Sequence, residues 1–279
     1  MTNKNNIPRL RFPEFTVEWE EKILSEIANI KRGASPRPIT SSKWFDNNSK
    51  IGWVRISDVT NSTKYLKKTT QYLSSSGIKK SKQVKKNSVI MSICATIGKP
   101  IITEIDVCIH DGFVVFENLI ISEEFLYYYL DKNMAHWYKY GQPGTQINLN
   151  VEIVVAELIK FPGIKEQQKI AAFFTTIDKK IEQLQELHRL NVLYKKAVMQ
   201  KIFNQEIRFK DDNGNDYPDW EEKTLGEMLI RGRSDINLKD IENIDGDYFI
   251  YGATGIIKKI DFYQIDEEYI SLVKDGAGV

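Results

Sequence analysis

The chain has 279 residues, 42% of them hydrophobic and 11% aromatic, with a formal net charge of +1. That length accommodates two domains of roughly 100–200 residues each, the composition supports ordinary buried cores, and the overall charge gives no argument for a polyanionic partner. Cys94 and Cys108 offer neither a disulfide framework nor a CxxC metal spacing. No run of about 18 apolar residues provides a membrane span, and the polar start Met-Thr-Asn-Lys-Asn-Asn lacks a signal-peptide stretch. These features together predict a soluble protein of a reducing cytoplasm.

Residues 1–10 read as a loose polar arm. Ile23, Leu24, Ile27 and Ile30 recur at three- and four-residue steps, which predicts a short helix within 19–30. Arg32-Gly33-Ala34-Ser35-Pro36-Arg37-Pro38 then breaks any helix. Residues 51–59 predict a strand, with Trp53, Arg55 and Ser57 on one face and Val54 and Ile56 on the other. Further strands are expected at 88–95, 101–105 and 112–117. Ser122, followed by two acids, predicts a capped helix over about 123–140. Its aromatic stripe (Phe125, Tyr128, Tyr129, Trp137) reads as packing in preference to base stacking. A polar loop at 141–150 and a strand near 152–159 complete an α+β domain.

The most regular segment follows Pro162-Gly163. From Lys165 to Phe203 there is no Pro or Gly, about 39 residues or roughly 58 Å of helix at 1.5 Å per residue. Ile170, Phe174, Ile177, Ile181, Leu184, Leu187, Leu190, Tyr194, Val198 and Ile202 form a continuous stripe. Over about five heptads that is a coiled-coil seam, which requires a partner helix.

Two distant stretches say nearly the same thing. Arg11-Phe12 with Trp19-Glu20-Glu21-Lys22-Ile23-Leu24-Ser25-Glu26-Ile27 is echoed by Arg208-Phe209 with Trp220-Glu221-Glu222-Lys223-Thr224-Leu225-Gly226-Glu227-Met228. The tryptophans lie about 200 positions apart, so the repeated unit is a whole domain and not a solenoid module of ~20–50 residues. Charge is also uneven. Between Asp58 and Glu104 there is no acid, yet Lys64, Lys67, Lys68, Lys79, Lys80, Lys82, Lys85, Lys86 and Lys99 fall in that gap. Such a stretch is either a face that meets a polyanion or a solvated lysine-rich surface.

The junction Pro162-Gly163-Ile164-Lys165-Glu166-Gln167-Gln168-Lys169-Ile170-Ala171, continuing through Phe173, Phe174, Ile177 and Asp178, resembles the start of the spacer helix in specificity subunits of type I restriction–modification systems. The opening Arg9-Leu10-Arg11-Phe12-Pro13-Glu14-Phe15, the Arg32–Pro36 turn, the Thr145-Gln146-Ile147-Asn148-Leu149 loop and the duplication are similar to that family too. The resemblance implies a DNA-reading subunit without catalysis, in which two recognition domains read the halves of a bipartite target and antiparallel helices hold them apart. It implies methyltransferase partners using S-adenosylmethionine, motor–nuclease partners using ATP and Mg, and no cofactor on this chain. The expected organisation is a first recognition domain at 1–160, a spacer helix at 161–206 and the start of a second recognition domain at 207–279. Tyr269–Gly278 aligns loosely with Ile90–Gly98, so the second domain is expected to be incomplete and its spacer helix absent. Half-length forms can pair two-fold through the spacer.

Within this frame Lys79, Lys80, Lys82 and Lys99 are candidates for phosphates. Arg37 and Arg55 are candidates for guanine, Gln146 and Asn148 for adenine, and Ser35 and Thr145 for more permissive contacts. Gln146 and Asn148 can equally satisfy their own loop backbone, and Arg55 can pair with Asp58. A scaffold that binds only proteins is the alternative function, and a nuclease the more distant one. Asp275-Gly276-Ala277-Gly278 lacks the lysine of a phosphate loop. Asp219 with Glu221 and Glu222, or His110 with Asp111, falls short of a metal-ligand set.

Overall fold

The computed structural model describes residues 7–140, 149–232, 234, 236–253 and 255–272. The chain divides into two units, Met1–Val198 and Met199–Val279. In chain order the first carries β1 (Glu20–Ile23), α1 (Leu24–Ile27), β2 (Asn29–Arg32), β3 (Gly52–Val54), α2 (Ile56–Thr60), β4 (Tyr65–Leu66), β5 (Gln71–Tyr72), α3 (Ser75–Ile78) and β6 (Lys82–Val84). There follow β7 (Val89–Ser92), β8 (Pro100–Thr103), β9 (Val107–Ile109), β10 (Phe113–Glu117), α4 (Glu123–Lys132), α5 (Met134–Trp137), α6 (Val151–Val155), β11 (Leu158–Phe161) and the long α7 (Ile164–Phe203), whose residues after Val198 belong to the second unit. The fold is α+β, as expected.

Side-chain alternation along the strands builds the layers. A five-stranded sheet in the order β2-β10-β7-β8-β4 packs on a four-stranded sheet in the order β5-β3-β9-β6. Ile90 of β7 and Phe113 and Val115 of β10 point into the core shared with Val54, Val84, Val107 and Ile109 of the second sheet. Their neighbours Val89, Met91, Val114 and Phe116 face the opposite way, into a core with Leu126, Leu130 and Trp137 from α4 and α5. Trp53 and Cys108, on the outer face of the second sheet, pack with Trp44 and Leu73. Burial pushes the Cys108 thiol up to about 12, so it behaves as a small apolar side chain.

Several expected elements come out shorter or different. The helical spacing at 19–30 yields one helical turn between strands. Glu20–Ile23 pairs with β11 and Asn29–Arg32 with β10, and only Leu24 and Ile27 use the three-residue step to reach the core. The strand expected at 51–59 stops at Val54. The Asp58 carboxylate accepts from the backbone N–H of Arg55 at 2.8 Å and of Thr70 at 3.0 Å, which turns the chain into α2. The helix at 123–140 breaks at Asn133 (φ −89°, ψ 4°). Near 152–159 the Asn150 side chain caps the single turn α6 before β11 begins. Strand β9, which pairs with β3 and β6, was not expected.

Within the second unit lie α8 (Leu225–Met228) and a hairpin of β12 (Tyr248–Gly252) and β13 (Gly255–Ile260). The sequence repeat is matched by two recurring local bonds. Glu26 Oε2 accepts from Ile23 N at 3.0 Å to start α1, and Glu227 Oε2 accepts from Thr224 N at 2.7 Å to start α8. Arg11 donates to the Val17 carbonyl, and Arg208 to the Tyr217 and Pro218 carbonyls.

Candidate nucleic-acid interface

Strands β3 and β9 run parallel, with Val54 opposite Ile109, so the residues that follow them emerge side by side. Arg55, Ile56 and Ser57 follow β3, while His110 and Asp111 follow β9. The chain after β2 crosses this end. Gly33 N donates to Phe113 O at 2.9 Å and Ala34 N to Ile109 O at 3.1 Å. A Cβ at residue 33 would overlap the His110 carbonyl, so glycine permits the approach. The crossing delivers Ser35, Arg37 and Ile39 to a concavity of about 520 Å³ lined also by Trp53, Arg55, Ile56, Ser57, His110 and Asp111. Three predicted contact residues, Ser35, Arg37 and Arg55, therefore meet in one place.

The polar groups of this concavity are held from behind. Ser35 Oγ donates to Asp111 Oδ1 at 2.6 Å, Arg37 Nη2 lies 3.4 Å from Asp111 Oδ2, and Arg32 Nε donates to the Asp111 carbonyl at 2.7 Å. The serine bond, then the backbone and the nearby His110 and Arg37, hold the Asp111 carboxyl below the usual carboxylate range despite partial burial. His110 Nδ1 accepts from Gly112 N at 2.9 Å, leaving the other ring nitrogen to carry the proton. Burial depresses the imidazole pKa, with Asp111 opposing and Arg55 assisting. Trp53 is fully buried, and its indole N–H has no partner among the described residues.

The lysines divide into two groups. Lys79 and Lys80 are exposed and directly precede β6, whose Lys82 pairs in register with Ile109. They therefore enter at the end of the sheet where His110 and Asp111 leave. Lys68 is exposed as well. Lys82 itself is taken up by Glu117 at 2.5 Å, and the same carboxylate holds Lys31 at 3.1 Å. Lys99 is half-buried. Lys64 is buried against α7, 2.8 Å from Thr175 Oγ1 and 3.3 Å from Glu124. Desolvation lowers its pKa against the pull of Glu124 and Asp178. An acid-free stretch of sequence is thus supplied in part with acids from elsewhere. Thr145, Gln146 and Asn148 lie outside the described residues.

Helix α7 spans 40 residues, about 60 Å at 1.5 Å per residue. Its first turns are seated on the globular body: Glu166, Gln167 and Ala171 are buried, and Tyr128 donates to Asp178 at 2.5 Å. From Ile177 onward the apolar seam is open. Ile177, Ile181, Leu184, Leu187, Leu190 and Tyr194 are 40–69% exposed. Ile170 packs against the body core, and Phe174 contacts Tyr128.

Residues 16–192 match the family model described as the type I restriction modification DNA specificity domain. This chain belongs to that family. It is 24% identical over 281 residues to the type I restriction enzyme EcoprrI specificity subunit of Escherichia coli, covering 94% of this chain and 67% of that one. Solved structures share the fold. A chain from a type I R-M system studied for complex assembly and conformational transition superposes with TM-score 0.56 at 19% identity, over 69% of this chain and 47% of that one. The S subunit of a type I restriction-modification system from M. genitalium gives TM-score 0.51 at 17% identity, over 90% and 65%. This chain spans about half the length of the first of these solved relatives.

Among the enzyme-like signals of this specificity-domain chain, two acids pair with neighbouring cations. Asp219 pairs with Arg208 at 3.0 Å, and Glu221 with Lys223 at 2.5 Å. Asp275–Gly278 falls outside the described residues. Among the described residues no group of three or more His, Cys, Asp or Glu side chains is placed to hold a metal ion, and no helix is long and apolar enough to cross a membrane. Sequence reasoning did not bring Trp53, His110 and Asp111 to this concavity. For Trp53 the available signal was its shared parity with Arg55 and Ser57; His110 and Asp111 follow β9, a strand the sequence pattern did not reveal.

Proposed function

We propose that this chain is the DNA-reading specificity subunit of a type I restriction–modification complex, acting without catalysis of its own. Residues 1–160 form the first recognition domain, 161–206 the spacer helix and 207–279 the start of a second recognition domain. Methyltransferase subunits bring S-adenosylmethionine and dock on the helical scaffold. Motor–nuclease subunits, with ATP and Mg, join through them. The seam from Ile177 to Val198, open as far as Tyr194 and half-buried at Val198, receives a second long helix, from another part of the assembly or from a second copy of this chain.

The observation that carries this reading is the concavity at the ends of β3 and β9, where two arginines, a carboxylate and an imidazole converge. Phosphate contacts set register without choosing sequence, and base edges are read by groups of fixed geometry. Lys79, Lys80 and Lys99 serve the first task. Arg37, Arg55 and Ser35 serve the second, joined by Thr145, Gln146 and Asn148. A rigid helix fixes the distance between readers, as half-site spacing does in other two-fold DNA binders.

Reconstitution with a cognate methyltransferase subunit, followed by mapping of methylated adenines, tests the proposal. Methylation confined to one bipartite sequence of constant spacing is expected. Methylation scattered without sequence preference overturns it.

A further inference from the structure

The concavity holds a cation and an anion that are neighbours but only loosely joined. Arg37 Nη2 and Asp111 Oδ2 are 3.4 Å apart, longer than a good charged hydrogen bond, and the Arg37 side chain is 76% exposed. The second carboxylate oxygen is fixed by Ser35 at 2.6 Å. The peptide carbonyl of the same aspartate is fixed by Arg32 at 2.7 Å. The anion is therefore held in place while its cation stands free to swing outward.

Base pairs differ in the order of groups they show in the major groove. A G·C pair presents acceptor, acceptor, donor: guanine N7, guanine O6, then cytosine N4. An A·T pair presents acceptor, donor, acceptor and then a methyl group. A guanidinium fork needs two adjacent acceptors, and a carboxylate beside it needs a donor next in line. Guanine O6 and cytosine N4 are hydrogen-bonded to each other, so they lie about 2.9 Å apart. That spacing suits an arginine nitrogen and a carboxylate oxygen already side by side. On A·T the fork finds one acceptor only, and an ionised carboxylate accepts but never donates.

We infer that Arg37 and Asp111 act as one reading pair for a single G·C base pair, with guanine on Arg37 and cytosine N4 on Asp111. Asp111 is then a specificity-determining residue, and Ser35, besides any base contact of its own, positions it through the 2.6 Å bond. This rests on the DNA-reading function proposed above.

The test uses the full chain assembled with its methyltransferase partner and a duplex pool randomised across the target. Sequencing of bound duplexes gives the preference at every position, and two modified duplexes probe the pair. The wild type is expected to select a G·C position. There, 7-deazaguanine removes the N7 acceptor and N4-methylcytosine blocks the N4 donor, and each lowers affinity roughly five- to 100-fold. Asp111→Asn is expected to relax preference at that position alone, with affinity for random duplex unchanged or raised. Ser35→Ala is expected to weaken the same preference partially.

If the wild type selects a sequence but Asp111→Asn alters no position, or all positions alike, the reading pair is wrong and DNA reading stands. If the wild type selects nothing, the proposed function fails and the pair with it. Should Asp111→Asn not fold, the modified duplexes still decide: tolerance of both modifications at every selected G·C position overturns the inference.

Discussion

Arg11 and Glu166 meet across 155 residues: Nε donates to Oε1 at 2.8 Å and Nη2 to Oε2 at 2.7 Å. This two-pronged bond ties the N-terminal arm to the first turn of α7, and Trp19 Nε1 adds a third donor to the same carboxylate at 3.3 Å. Beside it, buried Gln167 accepts from Ser122 N at 2.8 Å and donates to the Pro162 carbonyl at 2.7 Å. Glu166 and Gln167 together clamp the base of the helix to the arm, to the start of α4 and to the end of β11. The angle at which a long rod leaves its globule depends on such contacts near its root.

Gln167→Ala removes the partners of two main-chain groups in a buried setting. A loss of about 1–3 kcal/mol is expected, because the Ser122 N–H and Pro162 carbonyl are left unsatisfied. Urea unfolding measures it, and hydrogen exchange at the Ser122 amide should quicken. A variant as stable as the wild type would show that the clamp does not bind helix to body.

The open seam makes the opposite prediction. Leu184 and Leu187 are 51% and 54% exposed, so Leu184→Glu with Leu187→Glu should change the stability of the isolated chain by no more than about 0.5 kcal/mol per site. The same pair should abolish concentration-dependent self-association and docking of a partner helix, since charge at seam positions removes the buried apolar contact. Sedimentation over a range of concentrations checks the first, and co-purification with the methyltransferase subunit the second. Unchanged assembly would place the interface elsewhere.

The long helix and the repeat were legible from residue spacing because both are long patterns that average over local detail. The order of strands was not. Short apolar steps such as Ile23, Leu24 and Ile27 fit a helical turn as well as a strand junction, and the outcome was set by pairing with β11, far along the chain. Asp58 redirected the chain through two main-chain N–H groups, one of them from Thr70. A third of the residues lining the concavity were visible, since Ser35, Arg37 and Arg55 were named from the sequence. Asp111 was weighed only with His110 as a metal pair, because its place beside Ser35 spans 76 residues of intervening chain.

His110 gives a pH signature. The unfolded chain takes up a proton at the ordinary value of 6.5, and the folded chain only at lower pH, because burial disfavours the charged ring. Between those points the unfolded state binds more protons, so stability rises with pH. This contribution is whole above 6.5 and is lost as pH falls through the depressed folded value. Glu117, held below its ordinary 4.5 by Lys82 and Lys31 against partial burial, loses its own contribution in a lower window. His110→Asn keeps an acceptor for Gly112 N and cannot titrate. Its urea midpoint should therefore stay flat from 6.5 downward until the carboxylates begin to protonate, where the wild type already declines. A parallel decline in both proteins would assign the slope to another group.

The lysines before and within β6 should separate by experiment. Lys79 and Lys80 are exposed at the concavity end of the sheet, whereas Lys82 spends its charge on Glu117. Lys79→Ala with Lys80→Ala should weaken binding to all duplexes alike and reduce the slope of log affinity against log salt by about 0.9 for each phosphate no longer neutralised. Base preference should stay intact, because phosphate contacts carry no sequence information. Lys82→Ala should leave the salt slope unchanged and cost about 0.2–1 kcal/mol of stability, the range for a partly exposed ion pair. Titrations at several salt concentrations, paired with urea unfolding, distinguish the two. If Lys82→Ala lowers the salt slope as much as either neighbour does, then Glu117 releases it on binding and all three lysines meet the backbone together.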